Sequence, residues 1–73
     1  MEIARWETRG KDYLSLRRDG DNYFYEGNDC GGTLPPCEND KAAIAWMERP
    51  WGAGGAGPAT VLWFDRTSLK RTK

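Results

Sequence analysis

The chain has 73 residues, with 11 Lys and Arg against 11 Asp and Glu, two Cys, four Trp and no His. A domain of this length buries about 60% of the surface that its unfolded chain exposes, so we expect a single folded unit with one small core. No apolar run approaches the roughly 20 residues that cross a bilayer, and the first residues lack the basic and apolar segments of an export signal. The sequence therefore predicts a soluble, intracellular domain.

The charges cancel in total but not locally. Residues 1–20 carry a net charge of +1, residues 21–48 a net charge of −5 and residues 49–73 a net charge of +4. A total of zero argues against general wrapping of nucleic acid, because non-specific affinity grows with the number of phosphates that Lys and Arg neutralise. The gradient favours a polarised surface that orients the domain on a partner. The alternative is that the charged blocks offset each other within the fold.

The first part of the chain has the alternation of two β-strands. Small or apolar side chains alternate with others over residues 3–8, and Leu14 and Leu16 alternate with polar residues after a turn at residues 9–12. Alternation of period two is typical of half-buried strands, so these two segments should pair as a hairpin.

A second hairpin follows directly. Asp19-Gly20 supplies the positive backbone angles of a tight turn, and residues 22–26 form a third strand. That strand places Tyr23 and Tyr25 on one face of the sheet and Phe24 on the other. The result is a three-stranded antiparallel meander.

A loop and a short helix come next. Residues 27–38 are rich in Gly, Asn, Asp and Pro and predict a flexible loop. Asn39 or Asp40 can cap a helix over residues 41–48, and Pro50 ends it. The helix has only two to three turns, so packing against the sheet must stabilise it.

The remaining segments complete one α+β domain over residues 1–65. Residues 50–58 contain WGAGGAGP and predict a flexible connector, and residues 60–64 (TVLWF) predict a fourth strand. Residues 66–73 are polar and basic and predict a disordered tail. We expect the order β-β-β-α-β, an antiparallel sheet of three to four strands with one short helix on one face.

The sequence predicts no metal site, cofactor or catalytic centre. Cys30 and Cys37 cannot complete a tetrahedral zinc site without other ligands, and reduced thiols are expected in a reducing cytosol, although a disulfide is sterically possible. Cys37 is the better candidate for a perturbed pKa, because it lies near a helix N-terminus. A chain without His lacks the commonest general base, and so small a domain has little room for a substrate pocket.

The spacing of Gly52, Gly54 and Gly57 matches the dinucleotide-binding pattern GxGxxG, but these glycines follow a helix and lead into a strand. The pattern binds pyrophosphate only where a strand leads into a helix. The segment is therefore interpreted as a hinge, or as a loop that orders on a partner.

Four Trp exceed what a core of this size easily uses. Trp46 and Trp63 are expected to be structural, whereas Trp6 and Trp51 are candidates for exposure. Trp and Arg are enriched at binding hot spots, so the sequence predicts a partner-binding surface. Its candidate residues are Arg5, Trp6, Arg9 and Trp51, with Lys70 and Arg71 in the basic tail. Burial of Trp6 between sheet and helix is an equal alternative, and so is a solvated tail.

Across its whole length the chain resembles the small regulators with which lytic bacteriophages bind the host RNA polymerase. The resemblance lies in the length, the opening MEIARWETRGKDYLSLRRDG, the connector WGAGGAGPA and the basic ending SLKRTK. It implies a monomeric, non-catalytic protein in the cytoplasm of the host bacterium. Such a protein would bind the amino-terminal part of the polymerase β′ subunit, inhibit sigma-dependent initiation and suppress termination, with nascent RNA as a further contact. The resemblance assigns no functional residue.

The alternative function is a small nucleic-acid-binding module. Tyr23 and Tyr25 beside Arg17 and Arg18 could stack on bases, with the basic tail on phosphates; cross-strand pairing of the tyrosines is the competing explanation. Residues 13–47 are also similar in layout to WGR-type nucleic-acid-binding domains, although the Trp-Gly-Arg triplet is missing.

Overall fold

The computed structural model describes residues 1–28, 30–50, 52, 55–60 and 69–73. In these residues the fold is a five-stranded antiparallel sheet with one helix on one face. The strands are β1 (Glu2–Glu7), β2 (Tyr13–Asp19), β3 (Asn22–Gly27), β4 (Gly31–Thr33) and β5 (Lys70–Arg71). The helix α1 spans Asp40–Met47, and a 3₁₀ turn spans Pro58–Thr60. The predicted α+β class is confirmed, and the sheet has more strands than the sequence indicates.

Both predicted hairpins are present. Strand β2 pairs with β1 on one side and with β3 on the other, with Trp6 opposite Leu14 and Leu16 opposite Tyr25. Gly20, at a φ of 63°, supplies the positive angle in the tight turn between β2 and β3. The order across the described sheet is β4-β3-β2-β1-β5.

Strand β4 corrects the prediction of a loop over residues 27–38. Gly31 to Thr33 pair antiparallel with β3, and Leu34 continues the pairing by donating a hydrogen bond of 3.0 Å to the Tyr23 carbonyl. The Tyr25 ring packs against Gly32 so closely that a Cβ there would lie 2.9 Å from its Cε1 atom. Two glycines give no alternating pattern of side chains, and that pattern is the signal from which a strand is recognised.

Strand β5 corrects the prediction of a disordered tail. Arg71 lies opposite Trp6 and Lys70 opposite Glu7, and the Thr72 amide donates a 2.7 Å hydrogen bond to the Arg5 carbonyl. This pairing occupies the side of β1 that faces away from β2, where the backbone N–H and C=O groups would otherwise have no strand to bond to. A two-residue strand of charged side chains has no hydrophobic pattern, so backbone pairing alone defines it.

The helix begins as predicted. Asn39 is its N-cap, and its side chain accepts a 2.8 Å hydrogen bond from the Ala42 amide. Ala43 and Met47 are buried on the sheet face. The helix ends at Met47, before Pro50, and is too short and polar to cross a membrane, as are the other helical segments among the described residues.

The core lies between the helix and one face of the sheet, which we call the inner face. Among the described residues it is a cluster of nine buried apolar side chains, with Cys30, Cys37, Ile44 and Trp46 partly buried around it. The nine are Ala4, Trp6, Leu14, Leu16, Tyr23, Leu34, Ala43, Met47 and Ala59. The opposite, outer face carries mostly charged side chains. Residues 61–64 of the predicted fourth strand lie outside the described residues, as do Trp51 and residues 53 and 54 of the predicted connector.

Candidate partner-binding surface

Basic side chains from the two ends of the chain meet at one edge of the sheet. Strand β5 places Lys70 and Arg71 beside β1, which carries Arg5, and Lys73 follows directly. We call these four residues the basic edge. Lys70, Arg71 and Lys73 are exposed. Four of the 11 basic residues of the chain thus lie at one edge of the sheet, although they are as much as 68 positions apart in the sequence.

Arg5 is positioned by carboxylates on its own strand. Its Nε atom lies 3.0 Å from an oxygen of Glu7, and its Nη1 atom lies 3.4 Å from an oxygen of Glu2. The guanidinium also stacks on Tyr13, with its carbon 4.5 Å from the ring centre. About a third of the Arg5 side chain is exposed (34%), so it is available to a partner in a fixed orientation.

Glu2 connects this network to the interior. It accepts a 2.6 Å hydrogen bond from the hydroxyl of Ser15, which is almost fully buried on β2. That hydrogen bond is the largest influence on Glu2 and lowers the pKa of its carboxyl group, an effect that Arg5 reinforces. Lys73 lies 3.9 Å from the other Glu2 oxygen. The C-terminal residues are therefore held by charge as well as by strand pairing.

Lys70 and Arg71 differ from Arg5 in having no ion-pair partner among the described residues. No ion pair or side-chain hydrogen bond joins either residue to another part of the chain that the structure describes. Arg71 borders a cleft of about 210 Å³ lined by Trp6, Glu48, Ala59, Thr60 and Leu69. Two exposed cations, one of them at a small cleft, can pair with carboxylates of a partner without first breaking an ion pair to any described residue.

Trp6 is buried, and its prediction as an exposed contact residue is wrong. Only 2% of its surface is exposed, and its indole nitrogen donates a 3.0 Å hydrogen bond to Oε2 of Glu48 at the end of the helix. On β1 it shares the inner face with Ala4, and the helix covers that face. Trp6 therefore supports the basic edge from beneath.

The other predicted contact residues are less closely grouped. Arg9 is exposed in the turn that follows β1. A hydrogen bond of 3.2 Å from the Lys11 amide to the Thr8 carbonyl closes this turn. Trp51 lies outside the described residues. The structure thus brings Arg5, Lys70 and Arg71 together, places Arg9 at the end of the same strand, and removes Trp6 from the surface.

The residues of the predicted nucleic-acid surface do not share one face. Arg17 lies on the outer face, 3.6 Å from Glu26, whereas Arg18 and Tyr23 belong to the inner side of the sheet. Tyr23 is only 6% exposed, and Tyr25 is half-buried against the core. The prediction of a tyrosine surface for stacking bases is therefore wrong for Tyr23, which has no free ring face.

Arg18 and Tyr23 instead bind the first residue of the helix. One carboxylate oxygen of Asp40 accepts a 2.7 Å hydrogen bond from the Tyr23 hydroxyl and lies 2.8 Å from an Arg18 nitrogen. The hydrogen bond to Asp40, with burial, raises the pKa of the Tyr23 hydroxyl. This cluster joins β2, β3 and the start of α1, and a phosphate at Arg18 would compete with the carboxylate of Asp40.

Neither thiol forms a site. Cys30 and Cys37 form no disulfide with each other, and burial raises the pKa of the Cys37 thiol, which keeps it protonated at neutral pH. Cys37 donates a 3.3 Å hydrogen bond to the Pro35 carbonyl. Within the described ranges, no three Cys, Asp or Glu side chains come close enough to bind a metal ion.

Two residues of this surface have no role in the sequence prediction. The Thr72 hydroxyl donates a hydrogen bond of 3.0 Å to a carboxylate oxygen of Glu7 and so extends the pairing of β5. Glu48 accepts the hydrogen bond of the Trp6 indole. The alternation of Ala4, Trp6 and Thr8 was the available signal for Trp6, since all three are buried on one face. No local pattern indicates Thr72 or Glu48.

Comparison with known proteins gives no assignment. No protein-family model, no curated protein and no solved structure matches this chain.

Proposed function

We propose that this protein is a non-catalytic regulator of transcription, which a lytic bacteriophage directs against the RNA polymerase of its bacterial host. It binds the amino-terminal part of the β′ subunit in the host cytoplasm, inhibits sigma-dependent initiation and suppresses termination. The choice of target rests on the resemblance of the whole chain to such regulators. The binding mode rests on the basic edge.

The observation that carries the binding mode is the pairing of β5 with β1. It places Lys70 and Arg71 beside Glu7 and Trp6 on a strand whose geometry the core fixes. A preorganised set of cations loses little conformational entropy on binding. The same cations on a disordered tail would have to be ordered first.

The size of the protein supports steric action. A standard interface covers about 800 Å² on each partner, which is roughly a sixth of the 4749 Å² that this protein exposes. The basic edge and the neighbouring 210 Å³ cleft can form one such interface with an acidic patch. The rest of the domain then obstructs a neighbouring factor or the path of the RNA.

The test is binding of purified bacterial RNA polymerase by the wild-type protein and by the Lys70→Glu/Arg71→Glu double variant. We expect the variant to bind at least about tenfold more weakly, because like charges face each other across the interface. Lys41→Glu is the control, since Lys41 is exposed on the helix, away from the basic edge, and undergoes the same replacement of a cation by a carboxylate at one position instead of two. It should bind within about twofold of wild type.

Two results would contradict different parts of the proposal. Unchanged affinity of the double variant would show that the basic edge is not the interface. Absence of binding by the wild-type protein, together with unaltered promoter-dependent initiation and terminator read-through in a purified transcription assay, would exclude polymerase as the target.

A further inference from the structure

The opposite edge of the sheet is an open strand with different chemistry. All three residues of β4 are exposed, and in the described sheet β4 has a neighbour on one side only. Edge strands are usually protected from pairing by Lys, Pro or a bulge. Gly31–Thr33 contains no charge and no proline, and its two glycines leave the backbone uncovered.

The hydrogen bonds at the two ends of β4 define which backbone groups face outward. Leu34 donates to the Tyr23 carbonyl, and the Cys30 carbonyl accepts a 2.8 Å hydrogen bond from Gly27. Residues of an antiparallel strand alternate between those that bond to the neighbour and those that do not. The N–H and C=O groups of Gly31 and Thr33 therefore point away from β3, toward the open side.

The surroundings of this edge are acidic. Residues 19–40 carry six carboxylates and no Lys or Arg. An open cleft of about 950 Å³ is lined by Cys37 and by Tyr23, whose carbonyl accepts a hydrogen bond from Leu34 just after β4, and we call it the acidic cleft. Four carboxylates line it against two basic side chains, Arg18 and Lys41; the carboxylates are Asp19, Asp21, Glu38 and Asp40. Of these only Asp40 forms an ion pair among the described residues, so the others are available to cations of a partner.

From these observations we propose that β4 accepts an extended, basic peptide segment of a partner protein as an additional strand. The backbone of the segment pairs with Gly31 and Thr33, and its Lys or Arg side chains reach the acidic cleft. This is the mode in which main-chain hydrogen bonds supply affinity and flanking side chains supply specificity. Because Pro35 follows soon after β4, the paired part is short and the ionic contacts are needed as well.

This second surface lies at the far side of the sheet from the basic edge, with three strands between them. It does not depend on the proposed polymerase target. A protein with one basic and one acidic edge can contact two partners, or two parts of one partner, at the same time.

The test uses a fluorescent eight-residue peptide of alternating Arg and Thr as the probe, with binding followed by anisotropy. We expect saturable binding, and no binding of the same peptide with Glu in place of Arg. A third peptide carries N-methyl groups on alternate backbone nitrogens and keeps every charge. It should bind at least about fivefold more weakly, the effect of losing one or more hydrogen bonds.

A pair of protein variants tests the same bonds from the other side. Thr33→Pro removes an outward N–H that β3 does not use, so we expect about fivefold weaker binding of the probe. Thr33→Val keeps the N–H and should bind like wild type. If the proline variant is unfolded, the wild-type protein still decides the question by amide exchange. The amides of Gly31 and Thr33 should become protected when the probe is added.

The proposal fails if the wild-type protein does not bind the Arg-Thr probe. It also fails if the N-methylated probe binds as tightly as the parent, because the contact is then charge alone. Unchanged exchange of Gly31 and Thr33 in the complex would likewise overturn it. Each of these measurements is made without polymerase, so its outcome is separate from that of the proposed function.

Discussion

The indole nitrogen of Trp6 donates a hydrogen bond of 3.0 Å to Oε2 of Glu48, which lies 42 residues further along the chain. The bond joins the second-last residue of β1 to the residue that caps the end of α1. Trp6 is also among the largest fully buried side chains of the described core. Arg71 lies opposite Trp6 on β5, so the same side chain supports the helix and the basic edge.

The first prediction concerns this support. Trp6→Phe removes the hydrogen-bond donor and part of the buried ring, and we expect a loss of about 2 kcal/mol in the free energy of unfolding, measured with urea. Trp6→Ala should lose about 3–5 kcal/mol, which is comparable to the whole stability of a domain this small. Glu48→Gln keeps an acceptor oxygen and should lose less than about 1 kcal/mol.

The Trp6 variants distinguish a loss of binding caused by unfolding from one caused by a changed surface. A loss of polymerase binding in Trp6→Ala would reflect unfolding, whereas the same loss in a Lys70 or Arg71 variant would reflect the surface. If Trp6→Phe is as stable as wild type, the role of Trp6 as the support between sheet and helix is wrong.

The second prediction concerns the buried hydroxyl of Ser15 and its bond to Glu2. The pKa of Glu2 is lowered in the folded protein, so its contribution to stability is present above the ordinary pKa of about 4.3 and is lost as the pH falls through the lowered value. Ser15→Ala removes the main cause of the shift. We expect about 1 kcal/mol lower stability near neutral pH and a smaller difference from wild type in acid.

The control for this prediction removes the titrating group. In a Glu2→Gln background, Ser15→Ala should cost the same at neutral and at acid pH, because no carboxylate remains to be protonated. Urea unfolding of the four proteins at both pH values makes the comparison. A pH-independent cost in the wild-type background would contradict the assigned cause of the Glu2 shift.

The third prediction concerns Tyr23 and Asp40. The pKa of Tyr23 is raised in the folded protein, so the stability that it contributes is complete below the ordinary pKa of about 10 and is lost as the pH rises through the raised value. Asp40→Asn removes the negative charge and weakens the hydrogen bond. We therefore expect Tyr23 to ionise at lower pH and the alkaline loss of stability to become smaller.

Ultraviolet absorbance during an alkaline titration measures this change. The protein has three tyrosines, and Tyr23→Phe identifies the step that belongs to Tyr23. Glu38→Gln, which changes a neighbouring exposed carboxylate in the acidic cleft, should leave that step nearly in place. An equal titration in wild type and Asp40→Asn would show that Asp40 does not control the Tyr23 hydroxyl.

The parts of the fold that could be predicted are those that local chemistry decides. Alternation over residues 3–8 and around Leu14 and Leu16 defined the first hairpin, and Gly20 defined the second turn. Asn39 caps the helix through its own side chain, which is a signal within a few residues. Each of these features depends on neighbours in sequence, so the sequence alone carries it.

The remaining parts depend on contacts that no local pattern encodes. Gly32 belongs to a strand because the Tyr25 ring covers it, and Lys70 belongs to one because β1 has an open side. The candidate surface shows the same division. The sequence shows the charges of the Arg and Lys residues of the basic edge. It does not show that they lie at one edge, because this depends on the pairing of β1 with β5, about 65 residues further along the chain.

The fourth prediction concerns Gly57, the last glycine of the GxGxxG pattern. Its amide donates a 2.8 Å hydrogen bond to the Arg49 carbonyl, and Gly57 itself is buried against the end of α1. A Cβ atom at this position would collide with the carbonyl oxygens of Trp46 and Met47. Because both contacts are backbone, Gly57→Ala must displace either the loop or the last turn of the helix.

We expect Gly57→Ala to lower the free energy of unfolding by about 1–3 kcal/mol, the range found when a well-packed interior is overfilled. Gly52→Ala is the matched control, because nothing lies within 4 Å of a Cβ at Gly52, and it should leave stability nearly unchanged. Urea unfolding of both variants makes the comparison. Equal stability of the two would mean that the glycine at position 57 does not serve close packing, whereas the expected difference explains this part of the pattern by contact with the helix.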